Sequence, residues 1–124
     1  MLAFERPSSV VGLWEDQSMK GSNIGFALYG RGEEAGTLDA RWSYENAWGG
    51  SGHATGGPEE GFAGRYHICY FHENGEFSDE YDLEIERAGD LYEATWLVDG
   101  EVRAVGVGME VGDHLAVGWR RVVD

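Results

Sequence analysis

Three polar side chains on one short segment, Ser51, His53 and Thr55, are the residues of this chain best suited to chemistry. They occupy alternate positions, so in a β-strand they share one face. An imidazole titrates near neutrality and can hold a ligand carbonyl or carboxylate, or act as a general acid or base. We expect His53 to be the polar anchor of a site, although the same strand could face outward, or His53 could simply fill the core.

A second segment repeats the first at a constant offset. Its residues at the three polar positions are apolar, with Val105, Val107 and Met109 in place of Ser51, His53 and Thr55. A polar wall facing an apolar wall is the composition of a ligand pocket with a few convergent polar groups. The residues shared by the two segments are Ala40 with Ala94, Trp42 with Trp96, Gly52 with Gly106, and Gly64 with Gly118.

The expected function is therefore the binding of a small hydrophobic ligand, apolar or aromatic, between these two walls. We predict no cofactor and no metal for it. The predicted ligand-binding residues are Trp42, Tyr44, Ser51, His53, Tyr92, Trp96, Val107 and Met109.

Two alternatives remain open. One is an enzyme of the cyclase or isomerase type that shapes a hydrophobic substrate, in which positioning supplies the rate and His53 and Tyr66 handle protons. It would need neither metal nor nucleotide, since the glycine-rich segments of the chain do not precede helices. The other is a filled domain that acts through its surface, for example around Trp48, or as a homodimer.

The strand predicted over 62–72 has two possible registers. Its inward residues are either Tyr66, Ile68, Tyr70 and His72, or Arg65, His67, Cys69 and Phe71. We favour the first set, because it is the more apolar. His67 and His72 fall on opposite faces in either register, and this spacing does not indicate a metal site.

Short alternating strands separated by turns must position all of these residues. Leu38, Ala40, Trp42 and Tyr44 alternate with polar residues, and Asn74-Gly75 and Asp99-Gly100 are hairpin signals. No segment has a sustained helical period. We predict an all-β fold: one antiparallel, up-and-down barrel of about eight strands, built from two meander repeats. The barrel domain spans 1–124, with an irregular lead-in over 1–10, repeat 1 over about 24–72 and repeat 2 over about 79–123.

Charge limits the possible partners. The net charge is −14, with 23 acidic residues against nine basic ones. Such a surface repels nucleic acid and anionic membranes, which proteins bind through Lys and Arg. The single cysteine, Cys69, fits a reducing compartment. With no secretory signal at the start, we predict a cytoplasmic protein.

The segment Gly12-Leu13-Trp14, the meander of short strands and the final Arg120-Arg121 together resemble the calycin barrels, namely lipocalins, fatty-acid-binding proteins and avidins. The resemblance implies that Trp14 packs under an arginine of the last strand and closes one barrel end, a stacking that suits a guanidinium on an indole. Because Glu15, Asp16 and Gln17 follow the tryptophan, the biotin-binding residues of avidins are not recognisable. We therefore carry over the shape and not the ligand.

Overall fold

The chain forms one closed antiparallel β-barrel, seen in a computed structural model that describes residues 19–122. Each strand pairs with the next in sequence, and the last pairs with the first, so the up-and-down barrel predicted above is confirmed. The strands are β1 Gly25–Arg31, β2 Leu38–Tyr44, β3 Trp48–Thr55, β4 Gly64–His72, β5 Phe77–Ala88, β6 Leu91–Val98, β7 Glu101–Val111 and β8 His114–Arg121.

Tight turns join the strands at the places marked by the hairpin signals. Asp99 and Gly100 both have positive φ, at 52° and 79°, as a type I′ turn between β6 and β7 requires. The Asn74-Gly75 pair lies in the β4–β5 turn, where the amide of Gly75 donates to the carbonyl of His72 over 2.9 Å. Because each hairpin closes locally, neighbouring strands pair without crossovers.

Apolar side chains fill one half of the barrel. This half lies toward the 32–37 and 56–63 loops, and its central side chains are almost fully buried: Leu38, Ala54, Ile68, Leu83, Ile85 and Leu115. The register of β4 is the one favoured from the sequence, with Tyr66, Ile68 and Tyr70 inside.

The 56–63 loop covers this end, with most of its residues at the surface. The guanidinium of Arg31 donates to the carbonyl oxygens of Pro58, Glu59 and Gly61 at 2.9, 2.6 and 2.7 Å. The hydroxyl of Tyr66 donates to the carbonyl of Phe62 at 2.9 Å, and the Phe62 ring is itself buried. Among residues 19–122, the barrel interior is therefore accessible from the opposite end, where β1 begins and β8 ends.

Candidate functional site

The open half of the barrel contains a cavity of about 260 Å³. Its lining is predominantly aromatic, with a few polar groups, as in many small-molecule pockets. The aromatic lining residues are Tyr29, Trp42, Tyr44, Trp48, Tyr70, Tyr81, Trp96 and Trp119.

Small residues on alternate strands make room for these rings. A methyl group added at Gly25 would lie 2.1 Å from Cε2 of Trp119, and one at Gly52 would lie 2.8 Å from Cδ1 of Tyr70. Ala104 of β7 also lines the cavity. Large residues on one strand thus face small ones on its neighbour, which is how a narrow barrel accommodates bulky interior side chains.

The floor of the cavity is a hydrogen-bonded cluster of three aromatic residues. The indole nitrogen Nε1 of Trp96 donates to Oη of Tyr70 at 2.7 Å, and Oη of Tyr70 lies 2.8 Å from Oη of Tyr29. Burial is the main cause that raises the pKa of both tyrosines, because it disfavours the ionised form. Both hydroxyls therefore keep their protons.

The floor has one hydrogen-bond donor to offer a ligand. The three groups carry three donor hydrogens, one on Trp96, one on Tyr70 and one on Tyr29. Two hydrogen bonds join them, and each bond uses one hydrogen. One hydroxyl hydrogen therefore has no acceptor among the described residues, and it can be donated to a ligand at the base of the cavity.

The mouth of the cavity carries one negative and one positive side chain, Asp79 and Arg121. The hydroxyl of Tyr81 donates to the carboxylate of Asp79, and burial, followed by Asp79, raises the pKa of Tyr81 to about 12. The guanidinium of Arg121 lies 5.8 Å from the centroid of the Tyr44 ring, which stacks on Trp119 with centroids 5.0 Å apart. Arg121 forms no ion pair with another described residue.

Trp42 presents its ring, and not its N–H, to the cavity. Its Nε1 donates to the backbone carbonyl oxygens of Ser51 at 3.0 Å and Phe71 at 3.2 Å. The ring packs edge-on against Tyr70, with centroids 6.2 Å apart. The indole is thereby fixed in orientation and supplies an apolar surface.

Three of the predicted ligand-binding residues, Trp42, Tyr44 and Trp96, line this cavity. Tyr92 is also buried, but it lies in the half that apolar side chains fill. Its hydroxyl donates to the carboxylate of Glu110. The prediction that β2 and β6 turn their aromatic residues inward is therefore confirmed for the residues that the structure describes.

The prediction that β3 and β7 turn their polar and larger apolar side chains into the barrel is wrong. Ser51 and His53 lie on the outer surface, where Nδ1 of His53 is 2.9 Å from Oδ1 of Asp39, and Thr55 is exposed as well. Val107 and Met109 are also outside, 67% and 52% exposed. The reason is steric. The inward Gly52 of β3 lies against the Tyr70 ring, and the glycines of β7 lie against Val117 and the backbone of β8, so the larger side chains of both strands point outward.

The two residues of the enzyme hypothesis do not meet. His53 is on the outer surface. Tyr66 is in the filled half, where its hydroxyl donates a hydrogen bond to the carbonyl of Phe62. Neither lines the open cavity. The cavity therefore holds no part of the predicted His53–Tyr66 pair.

Sequence reasoning missed several lining residues, namely Tyr29, Asp79, Tyr81, Trp119 and the role of Arg121 in the mouth. Trp119 was detectable in principle, since it alternates with the buried Val117 on β8 and faces Gly25 on β1. The Gly12-Leu13-Trp14 segment of the calycin resemblance lies outside the described residues, as does the proposed contact of Trp14 with an arginine.

Comparison with known protein families, curated proteins and solved structures finds no match to this chain. The closed eight-stranded barrel has a calycin-like shape, and that likeness rests on the topology alone. No helix within residues 19–122 has the length and apolar character needed to cross a bilayer.

Proposed function

We propose that the protein is a small-molecule-binding barrel that holds a flat apolar or aromatic ligand in its open half. The observation that carries this proposal is the aromatic cavity with one unassigned hydroxyl hydrogen at its floor. Drug-sized pockets measure roughly 300–1,000 Å³. At about 260 Å³, this cavity suits a ligand of one or two rings.

The floor adds a preference for one kind of ligand. A hydroxyl hydrogen donated by Tyr29 or Tyr70 favours a ligand with a carbonyl or similar acceptor at its buried end. Leaving that hydrogen unpaired against a pure hydrocarbon forfeits a hydrogen bond worth about 0.5–1.5 kcal/mol, which corresponds to roughly 2- to 10-fold in affinity. The ligand proposed is therefore aromatic with an acceptor atom, and not a hydrocarbon.

Two probes of nearly equal size test this preference: 2-methylnaphthalene and 2-naphthaldehyde. Dissociation constants come from ligand-detected NMR titrations of the full-length protein. We expect the aldehyde to bind more tightly, although it is the less hydrophobic of the two. Equal affinities, or tighter binding of the hydrocarbon, would remove the acceptor from the proposal.

A pair of variants locates the binding. Ala104→Leu adds bulk to the wall of the cavity and should weaken both probes, whereas His53→Ala changes the outer surface and should leave both affinities unchanged. If Ala104→Leu binds as the wild type does, the probes occupy another surface and the lumen is not the site.

The other predictions from sequence remain predictions. A cytoplasmic location and a homodimer are two of them. We would look for a contact between copies at the exposed apolar residues Phe26 of β1 and Val107 and Met109 of β7, two strands that flank β8.

A further inference from the structure

Four side chains with metal-binding chemistry project outward from β4 and β5. The register pairs His67 with Asp82 and Cys69 with Glu80 across the two strands. His67 and Cys69 are two residues apart on β4, so both lie on its outer face. The four side chains form a square of nitrogen, sulfur and oxygen donors on two paired strands of the barrel wall.

Three of these donors already converge. Nε2 of His67 lies 2.7 Å from Oε2 of Glu80, and Sγ of Cys69 lies 3.9 Å from the same oxygen. The three donor atoms all lie within 4.8 Å of one another. A tetrahedral ion with bonds of about 2.0–2.3 Å holds its ligand atoms about 3–4 Å apart. Small side-chain rotations on a fixed backbone would therefore complete a chelate.

The fourth side chain is placed to orient the histidine. Nδ1 of His67 lies 3.6 Å from Oδ1 of Asp82, on the side of the ring away from Glu80. Histidine ligands in metal sites commonly donate their second ring N–H to a carboxylate, which fixes the tautomer and strengthens the ligand. An ion pair between His67 and Glu80 would form without this second carboxylate, whereas a histidine ligand is oriented by it.

We propose that His67, Cys69 and Glu80 bind a divalent transition-metal ion of the Zn²⁺ class, with Asp82 as the orienting residue. A thiolate, an imidazole and a carboxylate together suit such an ion better than Mg²⁺ or Ca²⁺, which prefer oxygen donors. Three protein ligands leave a fourth position for water. The site is distinct from the cavity, because Ile68 and Tyr70, the neighbours of Cys69 on β4, point into the barrel.

Cobalt is the probe for this site, because a thiolate bound to Co²⁺ gives a charge-transfer absorption band that a carboxylate does not. Co²⁺ is titrated into the reduced, full-length protein in the presence of excess Mg²⁺, which occupies weak acidic sites. We expect a charge-transfer band that saturates at one Co²⁺ per chain and disappears when Zn²⁺ is added.

Variants assign the ligands. Cys69→Ser should abolish the band, and Asp82→Asn should keep the band but weaken Co²⁺ binding about 10- to 100-fold. His114→Gln and Glu86→Gln, an exposed histidine and an exposed glutamate outside the cluster, should match the wild type. Because all of these side chains are on the outer surface, thermal unfolding of each apo variant verifies that the fold is kept.

Two results would overturn the proposal. One is a wild-type titration without a charge-transfer band. The other is Co²⁺ binding of equal strength in Cys69→Ser, Glu86→Gln and the wild type, which would indicate diffuse attraction to the acidic surface.

Discussion

The indole of Trp96 on β6 donates a hydrogen bond of 2.7 Å to the hydroxyl of Tyr70 on β4, passing inside β5, the strand between them. The strand pairing shifts register beside both residues, between Tyr70 and Phe71 and between Trp96 and Leu97. Such bulges bend a strand and re-aim its side chains. Tyr70 and Trp96 both line the cavity, so the bond lies where the filled half of the barrel ends.

Removing the hydroxyl of Tyr70 should destabilise the barrel. Tyr70→Phe leaves the Trp96 N–H without its acceptor and separates Tyr29 from its partner. An unsatisfied buried polar group costs about 1–3 kcal/mol, and we expect a loss of this size in the free energy of unfolding, measured with urea. Tyr92→Phe is the matched control: its hydroxyl bonds Glu110 near the surface, so its loss should be smaller. Equal losses of unfolding free energy in the two variants would mean that the hydrogen bonds of the floor cluster add no more stability than one bond near the surface.

The strands with aromatic inward faces were predictable from sequence. Trp42 and Trp96 fall on the apolar face of an alternating segment, and in the structure those faces point inward. Turn pairs such as Asp99-Gly100 fixed the strand boundaries, because positive φ is inexpensive for these residue types. Alternation and turn chemistry predicted the strands and their hairpins, and the internal repeat favoured their closure into a barrel.

The inward faces of β1, β3 and β7 were not predictable by the same rule. On β1 the more apolar set includes Phe26, yet Phe26 is 51% exposed, and the inward residues are Gly25, Ala27 and Tyr29. Hydrophobicity marks an inner face only when that face has space for bulk. Here the space is taken by neighbouring strands: by the ring of Trp119 at Gly25 of β1, and by Val117 and the backbone of β8 at the glycines of β7. That complementarity depends on pairing between strands, which periodicity along one strand does not contain.

The space at Gly25 is the basis of a second prediction. Gly25→Ala places a methyl group 2.1 Å from Cε2 of Trp119, so the indole must move and disturb its stack on Tyr44. Overpacking of this kind typically costs about 1–3 kcal/mol. Gly118→Ala, at a strand glycine whose added methyl group meets no atom within 4 Å, should be near neutral. Denaturant unfolding measures both, and near-ultraviolet circular dichroism reports the Trp119 environment; an unchanged spectrum in Gly25→Ala would contradict this account.

Arg31 should control the closed end. Arg31→Ala removes its hydrogen bonds to three carbonyl groups of the 56–63 loop, and charge-assisted bonds contribute about 1.5–3 kcal/mol. We expect faster proteolytic cleavage within this loop at temperatures where the barrel stays folded. Arg41→Ala, an exposed arginine on the outer face of β2, is the control. Cleavage at the same rate in the wild type and both variants would show that the loop is held by other contacts.

Stability should fall at high pH because of the tyrosines of the cavity. The pKa of Tyr81 rises from its usual 10.0 to about 12, chiefly through burial. Between these values the unfolded chain releases a proton that the native state keeps, so unfolding becomes more favourable as pH rises. The contribution is complete below pH 10 and is lost by about pH 12. The urea midpoint should fall less steeply with pH in Tyr81→Phe than in the wild type. An equal fall in the two proteins would show that the pKa of Tyr81 is not raised by folding.

The division of the barrel into a filled and an open half gives a prediction from two alanines of similar burial. Ala54 sits in the filled half at 0% exposure, and Ala104 lines the cavity at 7%. Ala54→Leu must force apart packed neighbours, at a cost of about 1–3 kcal/mol. Ala104→Leu can extend into space that already exists, and burying its added carbons there should leave the free energy of unfolding unchanged or raise it. Denaturant unfolding of the two variants under one condition decides the matter: if Ala104→Leu is destabilised as much as Ala54→Leu, both halves of the barrel are packed and the cavity cannot hold a ligand.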